Sequence, residues 1–262
     1  MILDELAAYS KLRVEQAKQQ LSFEAIKEKA MQLPKGDFRF EQILSKPEVS
    51  FICEVKKASP SKGIIANQFP YKEIARQYEE AGADAISVLT EPKWFLGSDE
   101  YLSEIRKEVS LPILRKDFTV DAYQIYEAKL LGADAVLLIC AILDTETIHD
   151  YLQICEALGL SAIVEAHEEA EIASAIKAGA KIIGVNNRNL KNFTVNFQNC
   201  TSLRKYIPEH ILFVAESGVK TVEDVASLAN AGANAILIGE TLMRSNQKKE
   251  LLHTFRKAAQ TS

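Results

Sequence analysis

The sequence predicts an α/β protein, a closed (β/α)8 barrel with a helical extension at its N-terminus. Four near-copies of one phrase recur along it: Ala81-Gly82-Ala83-Asp84-Ala85, Leu131-Gly132-Ala133-Asp134-Ala135, Ala178-Gly179-Ala180-Lys181 and Ala231-Gly232-Ala233-Asn234-Ala235. Each closes a helical pattern on a glycine suited to a positive-φ cap. Each then opens a short, β-branched apolar run of the kind buried on both faces in a parallel sheet. The glycines stand 50, 47 and 53 residues apart, which is about twice the length of one strand-plus-helix unit. Four copies at double spacing therefore count eight units.

The elements follow in order. Residues 1–48 lie outside the barrel pattern: a helix over 1–20, then a second helix that Ser22 caps, with Phe23, Ile26, Ala30 and Leu33 at helical spacing. Leu33-Pro34-Lys35-Gly36 stops it. Such an extension can cover the barrel's bottom, its rim or a dimer contact, and the sequence leaves the three open. Residues 49–262 form the catalytic barrel. Its strands are predicted at 50–56, 85–90, 112–116, 135–139, 161–165, 182–186, 212–216 and 235–239. Helices are predicted at 71–81, 99–109, 121–131, 145–158, 168–178, 199–206, 222–231 and 248–259. No Gly/Ser-rich linker interrupts the pattern.

Composition excludes several classes of function. An apolar fraction of 47% with 26% charged residues, over 262 residues, describes a globular protein with a large core. The net charge of −5, from 36 acids and 31 bases without a long run of either, argues against nucleic acid as a partner. The longest apolar run, 135–143, is far short of the roughly 18 residues of a membrane span. Asp4 and Glu5 occupy the place of a signal peptide's apolar core. Cys53, Cys140, Cys155 and Cys200 form no CxxC pair and no metal-ligand spacing, as expected of reduced thiols in a cytoplasmic protein. The scattered histidines suggest no metal site.

In such barrels the chemistry sits at the C-terminal strand ends. The first strand ends Glu54-Val55-Lys56, with Glu54 and Lys56 on one face by the two-residue period. The third ends Leu114-Arg115-Lys116-Asp117, the fifth Val164-Glu165, the sixth Asn186-Asn187-Arg188 and the seventh Glu216-Ser217-Gly218. Solvent-edge polarity and snorkelling lysines account for any one of these. The whole set, converging on one mouth, must pair or bind something. Gly218 after strand seven and Gly239-Glu240 after strand eight stand where barrels bind phosphate on free backbone N–H groups. Glu240 is expected to contribute its N–H alone. The basic loop 57–63 has the turn formers of a lid, and Trp94, Phe95 and Phe118 are expected to wall an aromatic pocket.

These residues also carry a resemblance. Glu54-Val55-Lys56-Lys57-Ala58-Ser59-Pro60-Ser61-Lys62-Gly63 and Pro112-Ile113-Leu114-Arg115-Lys116-Asp117-Phe118 resemble the first- and third-strand motifs of the indole-3-glycerol phosphate synthases. Val164-Glu165-Ala166-His167, Gly184-Val185-Asn186-Asn187-Arg188-Asn189-Leu190, Ala215-Glu216-Ser217-Gly218 and Gly239-Glu240-Thr241-Leu242-Met243-Arg244 are similar in turn, so the likeness spans nearly the whole chain. It departs at Pro92, Trp94 and Ala215, none of them a proposed acid or base.

The resemblance implies a TIM-barrel lyase of tryptophan biosynthesis, a decarboxylase acting on carboxyphenylamino-deoxyribulose phosphate without cofactor or metal. It implies Lys116 as the acid of ring closure, Glu165 as the base of dehydration and Lys56 as its acid or as a partner to substrate anions. Glu54 and Asn186 would orient these groups. Arg188, Ser217 and Ser59 would fix the substrate, with the ring on Phe95 and Phe118 and the phosphate on Gly218, Gly239 and Glu240. A cytoplasmic monomer or weak homodimer is expected, open to association with other tryptophan-pathway enzymes, with no membrane or nucleic acid as partner. Ending at Ser262, the chain is expected to lack a fused isomerase barrel.

The residues leave two other readings open. A phosphoribosylanthranilate isomerase would share the fold and phosphate site, but works through a Cys and an Asp. Cys53 should face away from Glu54 and Lys56. A barrel that only binds a phosphorylated metabolite would have no need of Lys116 or Glu165.

Overall fold

The computed structural model describes residues 2–188 and 194–260. Asn189 and Leu190 of the sixth-strand motif lie outside the described residues. Three helices lead: α1 (Ile2–Gln20), α2 (Phe23–Gln32) and α3 (Arg39–Leu44). The remaining elements run in chain order: β1 (Ser50–Val55), β2 (Ala58–Ser59), β3 (Gly63–Ile64), α4 (Tyr71–Glu80), β4 (Ala85–Leu89), α5 (Asp99–Glu108), β5 (Ile113–Lys116), α6 (Tyr123–Leu131), β6 (Ala135–Ile139), α7 (Thr145–Leu158), β7 (Ser161–Ala166), α8 (Glu169–Ala178), β8 (Ile182–Asn186), α9 (Gln198–Leu203), β9 (Leu212–Glu216), α10 (Val222–Asn230), β10 (Ala235–Ile238), α11 (Glu240–Arg244) and α12 (Lys248–Gln260). Eight parallel strands close in the order β1-β10-β9-β8-β7-β6-β5-β4, and β2 pairs with β3 as a separate hairpin.

The repeated phrase has a mechanical meaning. Its glycines adopt φ between 80° and 95° and end their helices. The polar residue two positions later then ties down the start of the preceding barrel strand. Asp84 accepts from Phe51 N, Asp134 from Ile113 N and Asn234 from Phe213 N, each at 2.8 Å. Lys181 cannot accept there; its side chain donates to Glu156 Oε2 at 3.2 Å, and its carbonyl accepts from Leu212 N at the start of the following strand β9 at 2.9 Å. Asp134 also draws in Arg39 at 2.6 Å and Arg106 at 3.0 Å, so the bottom of the barrel is closed by paired charge.

The leading helices touch both ends of the barrel. Leu3 and Leu6 of α1 join the cluster holding Phe118 and the barrel interior, while Phe40 and Leu44 of α3 are fully buried in that same cluster. Glu41 N donates to Ser161 Oγ at the start of β7, and Ser50 Oγ donates to Ile43 O. Ser22 caps α2 as expected, by accepting from Ala25 N. Helix α3 was not expected: six residues entered from Phe38 at φ 58°, with no side-chain cap, carry no local start signal.

Candidate active site

Period two decides which strand residues meet. In β1, Ile52 and Glu54 face the barrel axis, while Cys53 and Val55 join the outer core against the helices. The Cys53 thiol is fully buried, and burial pushes its pKa up. In β5, Leu114 and Lys116 face inward and Arg115 outward. The strand ends open on one cavity of about 1170 Å³. Of the residues expected at the site all but Trp94 line it: Glu54, Lys56, Ser59, Phe95, Lys116, Phe118, Glu165, Asn186, Arg188, Ser217, Gly218, Gly239 and Glu240.

Lys116 is the hub. Its Nζ lies 3.2 Å from Glu165 Oε2 and 3.3 Å from Glu216 Oε2. Asn186 Nδ2 donates to the same Glu165 oxygen at 3.2 Å, and Asn186 Oδ1 accepts from Arg188 N at 2.9 Å. Glu54 and Lys56 form a close ion pair beside them. Burial alone would lower the Lys116 pKa, but the charges of Glu216, Glu165 and Glu54 outweigh it and hold the ammonium above its ordinary range. Burial pushes Glu165 up, yet Lys116, His167 and the bonds from Lys116 and Asn186 bring it below the usual carboxylate value. Glu216 goes the other way. Burial and the charge of Glu165 prevail over Lys116, and its pKa is pushed up to about 7.

The sequence places Glu216 at a strand end and assigns it no role. A signal for it existed in Gly184, in the middle of β8. A Cβ there would collide with Glu216 Oε1 and stand 2.8 Å from Ile163 Cγ2, and a strand-interior glycine commonly marks such a close approach.

The apolar wall is narrower than expected. Phe95 and Phe118 line the cavity with centroids 6.1 Å apart. Trp94 does not line it; it packs edge-on against Tyr9 of α1 at 5.6 Å, under Lys93. The cause is Glu91, fully buried, whose carboxylate accepts from Lys93 N, Trp94 N and Phe95 N at 2.8, 2.8 and 2.9 Å. The tight turn it holds sends Trp94 and Phe95 to different neighbours. The first loop, expected as a lid, forms the β2–β3 hairpin over the mouth, and Arg188 Nη1 donates to its Ser61 Oγ at 3.1 Å.

Ser217 and Gly218 turn the chain with φ 68° and 89° after β9. Gly239 opens α11 so close to the Glu54–Lys56 pair that a Cβ would collide with Glu54 Oε1 and stand 2.8 Å from Lys56 Nζ. Glu240 Oε1 accepts from Arg244 Nε at 3.1 Å, which directs its carboxylate along its own helix.

The family model for indole-3-glycerol phosphate synthase matches residues 3–255. The chain belongs to that family. It is 58% identical to the indole-3-glycerol phosphate synthase of Ruminiclostridium cellulolyticum over 94% of this chain and 95% of that one. The enzyme of Endomicrobium trichonymphae is 54% identical over 96% and 98%, and that of Lacticaseibacillus casei 55% over 99% and 100%. Two solved structures share the fold alone. These are 3-hexulose-6-phosphate synthase from Salmonella typhimurium, with TM-score 0.67, 13% identity and coverage of 81% and 99%, and thiamine phosphate pyrophosphorylase from Pyrococcus furiosus, with 0.61, 16%, 85% and 98%. As an indole-3-glycerol phosphate synthase family member, the chain is a carboxy-lyase of tryptophan biosynthesis acting on a phosphorylated small molecule. Among the described residues no helix is long and apolar enough to cross a membrane.

Proposed function

We propose that the residues around Lys116 divide the synthase reaction among them as follows. Lys116 protonates the ketone oxygen while the aromatic carbon attacks it. The nascent alkoxide is more basic than an amine, so even an ammonium held in its charged form by two carboxylates can deliver the proton. Loss of carbon dioxide restores the aromatic ring without a base. In the dehydration Lys56 protonates the departing hydroxyl and Glu165 removes the remaining ring proton. Glu54 orients Lys56, and Asn186 orients Glu165.

The phosphate rests on N–H groups of Gly218, Gly239 and Glu240, beside Lys56, with Arg188, Ser217 and Ser59 fixing the chain between the two ends. The anthranilate ring lies on Phe95 and Phe118. We place the protein in the cytoplasm, a reading that its four free cysteines favour.

The observation that carries this reading is the Lys116 ammonium between Glu165 and Glu216 at the open end of the barrel. Its test is Lys116→Ala mixed with the carboxyphenylamino-deoxyribulose phosphate while indole fluorescence is followed. Loss of turnover with binding retained by calorimetry supports the assignment, and unchanged turnover discards it.

A further inference from the structure

Among the described residues, two buried polar atoms at the rim have no hydrogen-bond partner and face each other: Glu165 Oε1 and His167 Nε2, 3.6 Å apart. The opposite ring nitrogen, His167 Nδ1, lies 3.3 Å from Glu171 Oε2, and the same oxygen accepts from His167 N at 2.6 Å. The three side chains make a row from the core outward, 1%, 17% and 19% exposed. We propose that His167, held by Glu171, is a positioning residue for Glu165 and the conduit by which the buried Lys116–Glu165 pair exchanges protons with water. The inference rests on the reading of Glu165 as the base.

The reaction requires such an exchange. A carboxylate substrate and one proton yield the indole product, carbon dioxide and water. Two protons are given, one to the ketone oxygen and one to the departing hydroxyl, and one is withdrawn from the ring. The protein's acids and base thus end each turnover one proton short, and water must supply it. Glu165 itself is 1% exposed and cannot collect it directly. His167 carrying its proton on Nε2 takes a second at Nδ1 along the Glu171 side and passes the Nε2 proton to Glu165 Oε1, and exchange with water returns the ring to its starting tautomer. After ring closure Glu165 hands the proton to Lys116 across 3.2 Å, and the ring proton that Glu165 takes up later balances the one given by Lys56.

The charged groups around the ring are Glu165 on β7 just before it, Glu171 on α8 and Glu216 on β9, with Lys116 of β5 on the other oxygen of Glu165. Of the polar neighbours, Asn199 of α9 donates to His167 O and Cys140, after β6, to Glu171 O. Burial lowers the affinity of the ring for its proton, but the bond to Glu171 and the three carboxylates outweigh that and lift its pKa above the ordinary histidine value. Neutral imidazole with its proton on Nδ1, donated to Glu171, would turn a lone pair toward the Glu165 carboxylate. The ring therefore favours a proton shared between Nε2 and Glu165.

The test uses the whole chain and its substrate. In His167→Ala, kcat is expected to fall roughly tenfold or more while KM stays nearly unchanged, and added imidazole to restore most of the rate. His167→Gln, which can donate a hydrogen bond but cannot relay a proton, is expected to be as slow. Glu171→Gln removes the carboxylate that favours the charged ring, so the alkaline limb of kcat moves to lower pH by about half to one unit. A wild-type rate in His167→Gln, or a loss in His167→Ala that imidazole does not restore, overturns the conduit. Glu165→Gln separates the two readings. If it stays active, the base assignment itself fails; if it is inactive while the His167 variants keep wild-type rates, the conduit alone fails.

Discussion

Arg115 and Lys116 are neighbours in β5, both nearly buried, both cationic, and they do opposite work. Arg115 points out between barrel and helices, where it donates to Asp99 and Glu127 at 2.7 Å each, to Gln124 O at 3.0 Å and to Thr90 Oγ1 at 3.3 Å. Asp117 beside it accepts two bonds from Arg13 of α1 at 3.1 Å. Among the described residues, none of these carboxylates has a buried oxygen left without a partner. Lys116 points in, and each of its two glutamates keeps one buried oxygen unpartnered. A closed network fastens α1, α5 and α6 to the barrel; an open one leaves polar capacity facing a cavity. Buried unsatisfied atoms are costly enough to call for an explanation, and here they mark the site.

The contrast can be broken from either side. Lys116→Ala should cost roughly 100- to 10,000-fold in turnover, the range of a lost general acid, while thermal unfolding shows the fold intact. A rate within a few-fold of wild type would make the two lysine and arginine networks equivalent in kind. Arg115→Leu should do the reverse. It leaves carboxylates without their cation, at about 3 kcal/mol in urea unfolding, the low end for a broken buried pair because Asp99 and Glu127 keep contact with water. Activity per folded molecule should survive.

A sharper version uses pH. Glu216 has its pKa raised to about 7 by burial and by Glu165. The native state therefore holds this proton at pH values where the unfolded chain has lost it. The stability it contributes is full below the ordinary carboxylate value and is lost as pH rises through about 7. Glu216→Gln should melt higher than wild type at pH 8, by roughly 2–4 °C for each kcal/mol relieved, and the gap should close on acidification. A gap that widens toward acid would show that Glu216 is ionised throughout. The smallest effect belongs to the barrel bottom. Asp134→Asn keeps an acceptor for Ile113 N but loses the partly exposed Arg39 and Arg106 pairs, so it should cost about 1 kcal/mol with kcat unchanged.

Much of this was legible in advance because it is local. A glycine at a helix end followed by a β-branched run marks a cap and a strand start within five residues, and β6, β8 and β9 have the predicted bounds. The two-residue period placed Glu54 with Lys56 and turned Cys53 away. Helix α7 also has its predicted bounds, while the other boundaries moved by a residue or two and predicted helix 199–206 becomes α9 followed by one 3-10 turn at Arg204–Tyr206. Helix α3 and the β2–β3 hairpin were illegible because their residues lack caps or a long period. Trp94 was assigned to the cavity because nothing in the run Lys93-Trp94-Phe95 reveals that a buried Glu91 gathers its N–H groups.

Residues alone determined the count of eight units, the inward faces of the strands and the family to which the chain belongs, since each depends on spacing along the backbone. Tertiary structure alone decided what each charge became. Glu165 and Glu216 are the same side chain at equivalent strand ends. One is drawn below its ordinary pKa and the other pushed above it. The difference comes from where Lys116, His167 and Asn186 stand across the barrel, fields summed through a poorly screening interior over distances that sequence order does not encode.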